Sequence, residues 1–184
     1  DDKLTLPRVP NRPFTLTIET HCDPEANAAL SGLYRSRKIY CTQCEAEGFR
    51  RITYYLDRPD VLATFTTRIE ADLETAPVLL GNGNLVKHGR LAKGRHFAVW
   101  HDPHPKPAYL FALVGGTLAA HRDTFKTKSG RKVDLAIYVE PGKEDRCDWA
   151  MDALKRSMTW DEERFGREYD LDVFNIVAVS DFNM

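Results

Sequence analysis

Two side chains with hydrogen-bond acceptors, Gln43 and Glu45, stand two residues apart in a short span that also contains two cysteines and paired arginines. In an extended chain, residues i and i+2 project from the same face of the backbone. An amide oxygen beside a carboxylate offers several acceptors to a cationic group such as an ammonium. If this run is extended, the spacing predicts an acceptor-rich wall suited to binding an amine.

The neighbouring arginines give Glu45 a second possible role. Arg50 and Arg51 follow it closely in the sequence, and an ion pair with either guanidinium would serve the structure rather than a ligand. On the residues alone, this structural ion pair is the favoured interpretation and amine binding is the alternative.

Cys41 and Cys44 form a C-x-x-C pair that could bind metal or carry out redox chemistry. Structural zinc needs four ligands, and the sequence has no second Cys or Cys/His pair at a fitting spacing. Thioredoxin-like chemistry would place the pair just before a helix, whereas the flanking pattern is typical of strands. We therefore expect buried thiols.

None of the six histidines forms H-E-x-x-H, so neither a metal site nor a catalytic residue is predicted in this chain.

Short strands dominate the part of the chain that must position these residues. Alternating or continuous apolar residues predict strands at 14–18, 30–35, 63–70, 78–80, 97–100 and 109–114. The Gly81–Asn84 run predicts a hairpin, and Pro103, Pro105 and Pro107 predict an irregular link. Strands and turns at such close spacing indicate an antiparallel β-sandwich or saddle.

The stretch 81–101 contains no acidic residue and several basic ones. It could form a basic groove. The favoured interpretation is a solvated hairpin whose long side chains extend over apolar surface towards water.

The pattern changes after Gly115 and Gly116, where we place a domain boundary. Alternation over 133–139 predicts a strand, 145–165 predicts a helix, and 171–179 predicts a further strand. The predicted fold class is therefore mainly β: an N-terminal β-sandwich or saddle domain at 1–117, then an incomplete α+β part at 118–184.

The predicted helix has recognisable end signals and an apolar stripe. Asp145 or Asp148 could cap its start, and Gly166 should end it. Trp149 and Trp160 are expected to be core residues.

Length and charge limit the class of protein. A chain of 184 residues holds one or two domains, and a net charge of −1 argues against nucleic acid as the main partner. No apolar run approaches the length of a transmembrane helix, and no signal-peptide pattern is present, so no membrane partner is expected. Four cysteines in a chain of this size suggest a reducing compartment, and we expect a cytoplasmic protein. The sequence begins at Asp1, which leaves the true N-terminus open.

The motif Thr42-Gln43-x-Glu45, followed by Arg50-Arg51 and Asp57-x-Pro59, resembles the N-terminal domain of the aminopeptidase N family of zinc metallopeptidases. The run from Thr42 to Tyr54 is similar to the bacterial alanyl aminopeptidase branch. The likeness extends from Phe14 to Met184.

The resemblance implies specific roles. Gln43 and Glu45 would bind the free α-amino group of a peptide substrate, and Met184 would line the pocket for its first side chain. The whole protein would remove N-terminal amino acids using one zinc ion bound by residues beyond this chain. Residues 118–184 would open a thermolysin-like catalytic domain. The expected partners are peptides with a free N-terminus and the remaining catalytic and C-terminal domains of the same protein.

A competing hypothesis is a stand-alone β-sandwich binding module for a peptide or carbohydrate, with a self-contained fold and an exposed aromatic patch. A fragment of an enzyme should instead leave apolar surface uncovered on the helix and on the 171–179 strand. On its own, such a fragment should be inactive.

Overall fold

Ten strands and one α-helix make up the regular structure of residues 3–182, the part of the chain that the computed structural model describes. The strands are β1 (Gly32–Ser36), β2 (Ile39–Gln43), β3 (Ala63–Asp72), β4 (Val78–Gly81), β5 (Asn84–Arg90), β6 (Arg95–Lys106), β7 (Leu113–Gly116), β8 (Ala119–Lys126), β9 (Lys132–Val139) and β10 (Val173–Val177). The helix, α1, is Asp148–Phe165, and short 3-10 helices occur at Phe49–Arg51, Ala108–Leu110 and Glu144–Arg146.

The strands form three sheets. The first has the order β1-β2-β7-β4, the second β3-β6-β5, and the third β10-β9-β8. Every pairing is antiparallel except that of β9 with β10. The predicted mainly β, antiparallel fold is confirmed.

A common core joins the three sheets. It contains Leu79 and Leu80 from the first sheet, Ala98 and Trp100 from the second, and Tyr138 from the third. The indole N–H of Trp100 donates to the carbonyl of Leu79 at 3.0 Å, so this buried polar group is satisfied. The first sheet is therefore held against both others, which fixes the position of β2.

Strand β9 lies at the centre of the third sheet and is buried on both faces. Its alternate residues, such as Leu135 and Ile137, pack against Met151, Leu154 and Met158 of α1. The alternation predicted over 133–139 is confirmed for the helix-facing side, while the intervening residues enter the common core.

Helix α1 ends as predicted and begins differently. Gly166 adopts a left-handed conformation with φ of 63°, and its N–H donates to the carbonyl of Glu162 at 3.1 Å. The N-cap is Cys147, whose side chain makes no capping hydrogen bond, so the predicted caps Asp145 and Asp148 were wrong. No helix in residues 3–182 is long and apolar enough to span a membrane.

The two tryptophans of α1 are on the surface rather than in the core. Trp149 is 75% exposed and Trp160 is 55% exposed. They are separated by about three helical turns, so they share the side of α1 that faces away from Met151 and Leu154. Both tryptophans lie outside the stripe of α1 that meets the sheet. The expected uncovered apolar surface is present on the helix.

The predicted strand at 14–18 is absent, because no strand in residues 3–182 pairs with it and its side chains lie outside the core. Phe14 is 50% exposed and Leu16 is 46% exposed. Alternation alone indicated a half-buried face, and the described chain provides nothing to bury it.

Gly81–Asn84 does not form a hairpin. The chain instead crosses there from β4 in the first sheet to β5 in the second. Asn82 directs this crossing, since its side-chain amide donates to the carbonyl of Leu110 at 3.0 Å and its oxygen accepts from the N–H of Ala112 at 2.6 Å. The β5–β6 hairpin is solvated, and the Lys87 ammonium lies 6.0 Å from the Phe97 ring centroid.

The irregular link predicted at the prolines is not observed, because strand β6 continues through Pro103 and Pro105 to Lys106. Its pairing with β3 is irregular between the partners of Ala63 and Phe65, so the two prolines lie in a bulge where a missing N–H is tolerated.

The predicted strand 109–114 is displaced. Ala108–Leu110 is a 3-10 helix, and β7 takes in both Gly115 and Gly116. A Cβ on Gly116 would lie 2.8 Å from the carbonyl oxygen of Lys38, so glycine permits this close approach to β2.

We expect Leu135→Ala in this chain to reduce the free energy of unfolding by about 2–5 kcal/mol, because it opens a cavity between β9 and α1. Trp149→Ala should cost about 1 kcal/mol or less, since the removed side chain is mostly exposed. Urea unfolding followed by circular dichroism measures both. Equal losses for the two variants would contradict the described packing.

Candidate functional site

The candidate residues lie where β2 ends. Gln43 is the last residue of β2, pairs with Gly32 of β1 and is buried, whereas Glu45 is exposed in the turn that follows. Because the strand stops at Gln43, the two side chains do not share one face of an extended strand. The Oε1 atom of Gln43 instead accepts a hydrogen bond from the backbone N–H of Glu45 at 2.8 Å. The two residues are thus adjacent through a bend in the chain.

The turn is tightly closed on the first sheet. The N–H of Gly48 donates to the carbonyl of Cys44 at 2.8 Å, and the peptide bond between Ala46 and Glu47 is cis. A Cβ on Gly48 would lie 3.0 Å from the Cα of Cys44 and 3.1 Å from the nitrogen of Gly32, so the turn has no room for a side chain there.

Arg50 does not pair with Glu45. Its backbone N–H and its Nε donate to Oδ2 of Asp57 at 3.0 and 3.3 Å, and its Nη2 donates to the Asp57 carbonyl at 2.8 Å. Nη2 also lies 2.9 Å from Oε2 of Glu47. Within residues 3–182, Glu45 takes part in no ion pair. The structural ion pair favoured by the sequence alone is therefore absent.

Arg51 is directed elsewhere by packing. Its Cβ and Cδ atoms lie against Gly32, which has a φ of 75° and where an added Cβ would meet the Arg51 Cβ at 2.8 Å. The aliphatic part of this side chain consequently covers the start of β1.

An aromatic cluster packs against the turn. Phe49 contacts Tyr55 and Phe111 with centroid distances of 5.1 Å each, and Cys44 is buried against the same group together with Phe65. Edge-on contacts of this kind add to the stability given by burial. They provide a firm base for the segment that presents Glu45.

The described C-terminal end is fastened to β1, the strand beside β2. The hydroxyl of Tyr34 donates to the carbonyl of Asp181 at 2.8 Å, and Ser36 Oγ donates to Asp181 Oδ2 at 2.8 Å. Tyr34 is fully buried, and burial raises its pKa, so its hydroxyl is a dependable donor. We call these contacts the Asp181 clasp. Met184 lies outside the described residues, and its role stays a prediction.

The sequence did not identify Asp57 and Asp181 as residues that support the candidate site. Asp57 was noted only within the Asp57-x-Pro59 motif, and no regular helix or strand spans residues 50–57 to relate it to Arg50. The partners of Asp181 are 145 and 147 residues away, so no local pattern could have identified them.

The C-x-x-C pair consists of free, buried thiols, as expected. Burial raises the pKa of Cys44 to about 12, with a smaller contribution from the charge of Asp57. Burial also raises the pKa of Cys41, which lies beside Tyr34. No group of three or more potential metal ligands occurs among residues 3–182.

A broad groove of about 920 Å³ opens beside the turn. Its wall is formed mainly by the chain that follows the turn, and Glu47, Arg50 and Asp57 are part of it. The groove is open to solvent, and Glu45 is not among the residues that line it.

Comparison with known proteins relates these features to a family. The Peptidase M1 N-terminal domain matches residues 3–110. Aminopeptidase N of Escherichia coli (strain K12) is 61% identical over 181 residues, which cover 98% of this chain and 21% of that protein. Aminopeptidase N of Caulobacter vibrioides is 58% identical over 182 residues, covering 99% of this chain and 21% of that protein.

A solved structure agrees with the fold. Legionella pneumophila aminopeptidase A, determined in complex with aspartic acid, superimposes with a TM-score of 0.80 and 42% identity over 83% of this chain and 18% of that one. The chain spans about a fifth of the length of the relatives it matches.

We expect one of the four thiols, Cys22, to react rapidly with a chromogenic disulfide reagent at pH 8. Cys22 is exposed, whereas burial keeps Cys41, Cys44 and Cys147 as protonated, shielded thiols. All four should react in denaturant. Fast native reaction of two or more thiols, or its persistence in Cys22→Ser, would contradict this arrangement.

Proposed function

The chain belongs to the M1 peptidase family, whose N-terminal domain matches more than half of it, and we propose that it forms the N-terminal portion of a zinc-dependent aminopeptidase. In this proposal the chain walls one side of the active-site cleft and binds the α-amino group of the peptide substrate through Gln43 and Glu45. The whole enzyme removes N-terminal amino acids from peptides.

The observation that carries the proposal is the state of Glu45. Its carboxylate is exposed and forms no ion pair within residues 3–182, although Arg50 lies five residues away. A charge-assisted hydrogen bond from an ammonium contributes about 1.5–3 kcal/mol. That energy corresponds to a preference of about tenfold or more for a free amine over a blocked one.

Gln43 would position Glu45 and also offer an acceptor to the substrate. Its amide oxygen holds the backbone N–H of Glu45, and its place at the end of β2 fixes it to the first sheet. We expect the same oxygen to face the ammonium. The two side chains together would measure whether the substrate has a free N-terminus.

We also propose a division of the chain near residue 117. The first sheet ends with β7 at Gly116, and the third begins with β8 at Ala119. Residues 1–117 would be the N-terminal β domain, and 118–184 the start of a thermolysin-like catalytic domain. Met184 would line the pocket for the first side chain of the substrate, and the Asp181 clasp supports this by holding the preceding residues on β1.

The zinc ion of the proposed enzyme does not fit the described residues, which contain no cluster of ligands. We propose that it is held by residues beyond this chain, in the remaining catalytic domain. The proposed partners are that domain, the C-terminal domains of the same protein, and peptides with a free N-terminus. We propose a cytoplasmic location, because free cysteines are typical of a reducing compartment. We propose peptide catabolism as the role of the whole enzyme.

A stand-alone binding module is the weaker candidate. It predicts an exposed aromatic patch on the β-sandwich, whereas Trp149, Trp160 and Phe165 are exposed on α1. Relatives about five times longer than this chain also favour a portion of an enzyme over an independent module.

In the whole protein, we expect Glu45→Ala to raise KM for peptides with a free amine by about tenfold or more, because one charge-assisted contact is lost. The thermal midpoint should hardly change, since the carboxylate is exposed and forms no described ion pair. Steady-state kinetics and thermal scanning measure the two effects.

Asp60→Asn is a matched control, because Asp60 is an exposed carboxylate in the same region, paired with Arg58 at 2.9 Å. It should leave KM unchanged. An unaltered KM together with a lower midpoint for Glu45→Ala would favour a structural role for Glu45 and count against the proposal.

The isolated chain should retain no stoichiometric zinc after dialysis, as measured by mass spectrometry of the metal content. Retained zinc that disappears in Cys41→Ser or Cys44→Ser would show that the thiol pair binds metal and would refute this expectation.

A further inference from the structure

Glu45, Glu47 and Arg50 are exposed residues in or just after the turn, and Arg50 binds Glu47 and the buried Asp57. This choice leaves Glu45 as the carboxylate without a described partner. The question is what holds Arg50 in that arrangement.

Asp57 makes the stronger attachment. Its side chain is 4% exposed, and it accepts the backbone N–H and Nε of Arg50, while its own carbonyl accepts Nη2. A buried carboxylate needs a compensating charge, since an unpaired one is costly to desolvate. The carboxylate end of this pair is therefore shielded from solvent, whereas the Arg50 side chain is half exposed.

Glu47 completes the arrangement from the outer side. Its carboxylate is 49% exposed and lies 2.9 Å from Nη2 of Arg50. Two carboxylates thus bind one guanidinium, and Nη2 contacts both Glu47 and the Asp57 carbonyl.

We propose that Asp57 is a positioning residue for amine binding, assisted by Glu47: it holds the guanidinium of Arg50 away from Glu45. This rests on the proposed function, in which Glu45 receives the substrate ammonium. A released Arg50 would be a permanently charged, tethered competitor for the same carboxylate. The substrate would then have to displace it and bind beside its positive charge.

The other nearby arginines have different contacts from Arg50. Arg58 binds Asp60 through two hydrogen bonds of 3.0 and 2.9 Å. The stem of Arg51 is packed against Gly32. Arg50 is consequently the cation whose release should matter most for Glu45.

The test uses the whole protein and a peptide substrate with a free amine. We expect Asp57→Asn to raise KM about two- to fivefold, the range set by the strength of an exposed ion pair, with little change in kcat. Adding Arg50→Gln should restore KM, because the competing charge is removed. A merely structural role for Asp57 predicts the reverse, since the double variant would lose still more of the local contacts.

Glu47→Gln provides a second route that does not disturb a buried group. It should raise KM in the same direction, by less than Asp57→Asn, with an unchanged thermal midpoint. Asp60→Asn, which releases Arg58 instead, is the control and should leave KM as it was. If Asp57→Asn does not fold, the Glu47→Gln result decides alone.

The outcomes separate this inference from the proposed function. A raised KM in Glu45→Ala, combined with an unchanged KM in Glu47→Gln and Asp57→Asn, would overturn the inference and leave amine binding intact. Failure of Arg50→Gln to restore KM in the double variant would also overturn it. An unchanged KM in Glu45→Ala would remove the basis of both.

Discussion

The ion pair between Arg50 and the buried carboxylate of Asp57 holds together the segment that follows the turn after β2. It ties the 3-10 helix Phe49–Arg51 to the chain that follows, and this helix carries the aromatic ring on which the turn rests. Burial of Asp57 makes the attraction hard to exchange for another. Arg50 is thus already engaged by Asp57 and Glu47, and Glu45 forms no ion pair within residues 3–182.

The rest of the fold serves to present this turn. Strand β2 is held between β1 and β7, the common core fixes the first sheet against the other two, and the Asp181 clasp brings the described C-terminal end to β1. Neither the turn after β2 nor the C-terminal segment at Asp181 is held in place by local interactions alone. The arrangement suits a site shared between two parts of a longer protein, as the proposed aminopeptidase requires.

The sequence was most informative where one face of an element meets the core. Alternation identified β3 and β9, and Gly166 correctly ended α1. Trp149 was expected in the core although it lies outside the apolar stripe of α1 that meets the sheet, so it was misplaced. At the candidate site, residue types singled out Gln43 and Glu45. The partner of Arg50 could not be ranked, because that depends on the burial of Asp57, which only tertiary structure sets.

The Asp181 clasp also has a consequence for synthesis on the ribosome. Its partners Ser36 and Asp181 are 145 residues apart, so β1 lacks these contacts until residue 181 has been made. At about 5–20 residues per second, that interval lasts roughly 7 to 30 seconds. During this time the nascent β1 strand lacks these contacts, and an unfastened edge strand is a site for pairing with other chains.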